Sequence, residues 1–109
     1  MRAIGPELVD GDEVAYVISV LTGDERIALR LIARVAKSRT NVFHEKQLAR
    51  KKALHGEDVS RLLRGMQARG LVQVVRDGAW QTTALGRKAA HFLEVQWVFE
   101  RHGIRFERR

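Results

Sequence analysis

Apolar residues recur at helical spacing along most of this chain and alternate in only one short part of it. From Asp12 the run DEVAYVISVLT places Val14, Val17, Ile18 and Leu21 three and four residues apart, although Val, Tyr and Ile also favour strands. Asp12 and Glu13 stand where a helix dipole favours acids, so the pattern predicts a helix over 12–22. The next run, DERIALRLIARVAKS, can be capped by Thr22 or Asp24. Its apolar stripe is Ala28, Leu31, Ile32 and Val35, widened by Ile27 and Ala36, with Arg30, Arg34 and Lys37 expected to face away. Arg39-Thr40-Asn41 ends it, and Asn41-Val42-Phe43 reads as a short extended piece. HEKQLARKKAL then reads as a short helix with Leu48 and Ala49 inward.

His55-Gly56 breaks the chain before the most periodic segment, EDVSRLLRGMQAR. Val59, Leu62, Leu63 and Met66 follow the i, i+3, i+4, i+7 rule and predict a helix over 56–69, with Glu57 and Asp58 in its first turn and Gly70 as its stop. LVQVV and AWQTT flank Asp77-Gly78, a strong two-residue turn signal, and predict a hairpin over 71–83. A long helix from Ala84 to His102 follows. Ala89, Phe92 and Phe99 lie along one line of it, Ala90, Leu93 and Trp97 along another, and Val95 and Val98 along a third. A helix that is apolar nearly all round must bury more than one face, which predicts a homodimer through Phe92, Leu93, Val95, Trp97, Val98 and Phe99.

Composition narrows the picture. The 109 residues, without repeat or linker, suit a flexible arm over 1–11 and one domain over 12–109 with a small core. The absence of cysteine excludes disulfides and thiolate metal sites. No apolar run approaches a membrane span, and the first residues lack a signal-peptide apolar region, so no membrane role and a cytoplasmic location are expected. The net charge of +7 is unevenly placed. Up to Thr40 six basic residues balance six acidic ones, whereas from Asn41 onward fourteen basic residues face seven acidic ones. A basic half of this kind attracts polyanions.

The order helix, helix, turn, helix, hairpin, helix resembles the winged helix-turn-helix from about Asp24 to Phe99. The stretch LARKKALHGEDVSRLLRGMQARGLVQVV, followed by TTALGRKA, is similar to MarR and ArsR transcriptional regulators. The fold class expected is therefore mainly α with a small β-hairpin, a winged helix-turn-helix with a long C-terminal helix for dimerisation. The resemblance implies that helix 56–69 enters a major groove, that Gly70-Leu71-Val72 turns the chain into the wing, and that Thr83-Ala84-Leu85-Gly86-Arg87 returns it to helix. The chain departs from both families in having a short wing with Arg76 as the basic residue near its tip, and in lacking the thiolates with which many ArsR-like proteins sense metals.

Chemistry gives the expected site. A groove about 12 Å wide admits one helix with an apolar back and a polar front. Ser60, Arg61, Arg64 and Gln67 supply the front, and an arginine can bind guanine O6 and N7 together. Arg50, Lys51 and Lys52 would sit over phosphates and fix register, while Arg76 would reach the neighbouring minor groove or backbone. Each assignment has a plainer counterpart. Arg61, Arg64 and the Arg50–Lys52 run also fit a solvated face, Trp80 fits packing under the hairpin rather than contact with sugar, and Trp97 and Phe99 fit a dimer or domain core rather than a ligand box.

No catalytic arrangement is expected. His44, His55, His91 and His102 have no carboxylate at metal-ligand spacing, the serines have no adjacent base, and there is no glycine-rich phosphate loop. No cofactor is expected, and no residue marks a small-molecule effector site. The expected function is a homodimeric regulator of transcription on double-stranded DNA, associated with the nucleoid. A non-specific DNA-coating protein or a winged-helix protein-interaction module is the alternative.

Overall fold

A computed structural model describes residues 11–103. The flexible-arm expectation for the first residues therefore lies outside the described residues, apart from Gly11, which opens a helix. The elements run α1 (Gly11–Val20), α2 (Gly23–Val35), β1 (Val42–His44), α3 (Glu45–Ala49), a 3-10 turn (Lys52–Leu54), α4 (Val59–Ala68), β2 (Val72–Arg76), β3 (Ala79–Thr82) and α5 (Ala84–Arg101). The protein is mainly helical, with one small antiparallel sheet in the order β1-β3-β2 and a long C-terminal helix. The extended piece at 42–44 thus adds a third strand to the expected hairpin, placing Phe43 opposite Trp80 while Val74 faces Trp80 from the other side.

Local chemistry sets the boundaries. Thr22 caps α2 through a reciprocal box: its hydroxyl accepts from Glu25 N at 3.1 Å, and its own N–H donates to Glu25 Oε1 at 3.0 Å. The helix read over 56–69 begins later, at Val59, because the Asp58 carboxylate accepts from Arg61 N at 3.1 Å and so makes Asp58 the cap rather than part of the first turn. Its end is a Schellman motif. Gly70, at φ 77°, donates to Gln67 O at 3.0 Å, and Leu71 donates to Met66 O at 3.0 Å. The segment 44–54 is not one helix but α3 and a 3-10 turn, with Arg50 as the cap of α3, so Ala49 is exposed while Leu48 and Leu54 are buried.

The core centres on α2, which packs against α5, α3, the 3-10 turn and α4. Leu29, Ile32, Phe43, Leu48, Leu63, Met66 and Leu71 are fully buried. The buried face of α2 is rotated from the stripe expected in the sequence. It carries Glu25, Ala28, Leu29 and Ile32, while Leu31 and Val35 lie at its margin and Ile27 is exposed. The rotation has an electrostatic counterpart. Arg30 is half-buried rather than facing away, Arg34 stays exposed as expected, and both reach α5 to bind Glu94 at 3.1 Å. On the opposite side Glu25 is buried against Arg69 at 3.3 Å.

The N-terminus of α5 is docked on the turn that follows α4. The Thr83 hydroxyl accepts from Gly86 N at 3.0 Å and lies 2.6 Å from Gly70 O and 3.0 Å from Leu71 O. Gly86 is buried there, and any Cβ on it would collide with the Leu71 carbonyl oxygen. The Thr83-x-x-Gly86 pattern is thus a cap plus a close backbone approach.

Candidate nucleic-acid interface

The surface of interest is built on α4. Val59, Leu63 and Met66 turn inward and Leu62 is half-buried, and full burial of side chains of this size stabilises by about 1.5–3 kcal/mol each. This anchoring leaves Arg61, Arg64 and Gln67 exposed, with Ser60 half-buried at the edge. These residues do not form one uniform front. At 100° per residue Ser60, Arg64 and Gln67 share the sector nearer α3. Arg61 instead borders a cavity of about 640 Å³ whose wall includes Asp24, Glu57 and Asp58.

One residue joins this sector to the rest of the surface. Glu45, at the start of α3, accepts from Trp80 Nε1 at 2.9 Å and from the Ser60 hydroxyl at 3.4 Å. Its backbone N–H donates to Gly78 O at 3.0 Å, at the tip of the hairpin. Arg64 Nη1 lies 3.5 Å from Ser60 Oγ. Trp80 is buried, so it packs rather than offers a free aromatic face. Its indole N–H finds the acceptor that a buried tryptophan requires.

The other expected contacts are exposed but separate. Arg50 and Lys52 are exposed and Lys51 half-buried, and they lie between α3 and α4 rather than along a helix. Arg76 is exposed at the end of β2, where a bulge at Val75 disturbs the register. Beside it Val74 and Val75 are 50% and 46% exposed, so the hairpin presents apolar surface next to its charge.

Behind α4, the Glu25 carboxylate of α2 binds Arg69, the residue that caps the end of α4, at 3.3 Å. Burial pushes the Glu25 carboxyl upward, but hydrogen bonds from the Thr22 backbone and from Arg69, with the charge of Arg69, outweigh it and hold it below its ordinary range. Gly65 lets the two helices approach, since a Cβ there would stand 3.1 Å from Glu25 Oε2. Glu45 and the Glu25–Arg69 pair were not legible as a site. Their contacts span 35 and 44 residues, and only the local Thr22-x-x-Glu25 box left a sequence trace.

The expected dimer residues divide. Leu93 is 5% exposed and belongs to the core of its own chain. The reason is that α5 packs on both α1 and α2, so two of its apolar lines are used internally. Trp97 is half-buried, with the Arg30 and Arg101 guanidiniums over its ring at 4.6 and 5.1 Å. Phe92, Val95 and Phe99 are half-buried and Val98 is 42% exposed, while on α1 Tyr16 and Val20 are exposed as well. Among the described residues no cluster of His, Asp or Glu could hold a metal ion, and no helix is long and apolar enough to cross a membrane. Comparison with family models, curated proteins and solved structures gave no match.

Proposed function

We propose that the protein is a DNA-binding regulator of the winged helix-turn-helix kind, acting as a homodimer on double-stranded DNA. In this reading α4 lies in the major groove and the β2–β3 hairpin serves as the wing. The observation that carries the reading is the outward placement of Arg64 and Gln67 on a short rod whose back is locked into the core, with a small hairpin fixed beside it. Arg64 is the stronger candidate for reading bases. The position of Arg61 beside Asp24, Glu57 and Asp58 makes it a weaker donor to an anion. Arg50, Lys51, Lys52 and Arg76 serve as phosphate contacts that set register. Val98, Val95 and the adjoining start of α1 form the dimer contact, and two copies of α4 then meet half-sites about one helical turn apart.

The test is a bound sequence selected from random duplexes, then compared with random duplex for wild type and Arg64→Ala. Loss of one bidentate arginine costs about 1–3 kcal/mol on the selected sequence, with a smaller loss on random duplex. An equal loss on both would end the case for base reading by Arg64. A second reading, a protein-interaction module, is favoured by Val74 and Val75 on the hairpin. Absence of duplex binding at low salt would select it.

A further inference from the structure

The proposed DNA surface contains a carboxylate, which is unexpected where phosphate is to be bound. Glu45 is half-buried between α3, α4 and the hairpin. Satisfying the indole N–H of Trp80 would need only a neutral acceptor. What distinguishes Glu45 is that one oxygen receives bonds from two different elements, Trp80 of β3 at 2.9 Å and Ser60 of α4 at 3.4 Å. Its main chain binds a third, the turn at Gly78, at 3.0 Å. The Ser60 hydroxyl has one proton, given to Glu45, so its lone pairs are left to accept from Arg64 at 3.5 Å. An ionised carboxylate only accepts, which makes the direction of the chain unambiguous: Arg64 to Ser60 to Glu45, and Trp80 to Glu45. The links to the hairpin, at 2.9 and 3.0 Å, are short, whereas those through Ser60 to Arg64, at 3.4 and 3.5 Å, are long for hydrogen bonds.

We propose that Glu45 is a positioning residue that couples the hairpin to Arg64, so that α4 and the hairpin meet one duplex in one register. This rests on the reading of α4 as the DNA-facing helix. Glu45 lowers the general attraction of the surface for phosphate and raises its selectivity. Ser60, on this account, aims Arg64 rather than reading a base itself.

The two effects separate by substitution. Glu45→Gln keeps an oxygen that can accept from Trp80 and Ser60 but removes the charge. Glu45→Ala removes both. Binding to random duplex should tighten in both variants, because a negative charge has left a basic surface. The ratio of selected-sequence to random-duplex affinity should fall about tenfold in Glu45→Ala, the order of discrimination carried by one arginine–guanine pair, and stay near wild type in Glu45→Gln. Trp80→Phe, which keeps the ring and loses the N–H, should lower the ratio as well and carries the test if Glu45→Ala does not fold. An unchanged ratio in the folded variants, while wild type is selective, overturns the coupling and leaves the DNA-binding reading intact. Wild-type protein that does not bind duplex, or binds with a ratio near one, overturns both.

Discussion

Replacing Gly86 by alanine should destabilise the protein, although a helix-interior glycine-to-alanine change ordinarily helps. Gly86 sits in the first turn of α5, and alanine would gain up to about 1 kcal/mol in helix propensity. The surroundings reverse the sign. The new Cβ would penetrate the Leu71 carbonyl oxygen and stand 2.9 Å from Thr82 Cγ2. Neither neighbour is the free end of a flexible side chain, so α5 must lift from the turn at Gly70-Leu71. That movement breaks the Thr83 contacts to Gly70 O and Leu71 O and disturbs the fully buried Leu71. Overpacking a tight core costs about 1–3 kcal/mol, and lost capping adds about 1 kcal/mol. Against the propensity gain, the net loss is about 2 kcal/mol, which in a domain of this size lowers Tm by roughly 9 °C. Gly23→Ala is the control. Gly23 opens α2 with nothing within 4 Å of its would-be Cβ, and the change there should be neutral or stabilise by up to about 1 kcal/mol. Thermal unfolding followed by circular dichroism decides the matter. A Gly86→Ala protein as stable as wild type would refute the close-approach argument.

Two further outcomes follow from the packing. The Glu25 carboxyl is held below its ordinary value of 4.5, so its contribution is full above that value and is lost as pH falls through the depressed folded one. Urea midpoints for Glu25→Gln should accordingly lie below wild type at neutral pH, with the gap closing in acid; a gap independent of pH would contradict the linkage. Leu93 and Val98 should behave differently despite lying on one helix. Leu93→Ala should cost about 2–5 kcal/mol of stability, while Val98→Asp should leave the fold intact and shift the sedimentation mass toward the monomer. Dissociation by Leu93→Ala without loss of stability would refute the division.

The contrast between α2 and α4 shows what the chain discloses. In α4 the apolar back is a clean stripe, so periodicity alone located the buried and exposed faces. In α2 the same reasoning pointed to Leu31 and Val35 at the centre. Yet α2 is wrapped by several elements, and the charged groups that should have marked its outer side, Arg30 and Arg34, are recruited by Glu94 some sixty residues later. Hydrophobic spacing cannot register a charge that is neutralised by a distant partner. The hairpin was visible from Asp77-Gly78, but β1 was not assigned to its edge, because three residues between two helices carry no pairing signal of their own. The exposed arginines of α4 were legible; the carboxylate beneath them was not, since Glu45 stands in the sequence as an ordinary first-turn acid.

The most direct test of the DNA-binding reading is a map of backbone amide shifts as labelled protein is titrated with a selected duplex. With α4 and the hairpin on the duplex, the largest changes fall in three stretches, 45–52, 59–67 and 74–78, with α1 and the second half of α5 little moved. Changes concentrated on α1 and α5, with the amides around Arg64 unaltered, would contradict it.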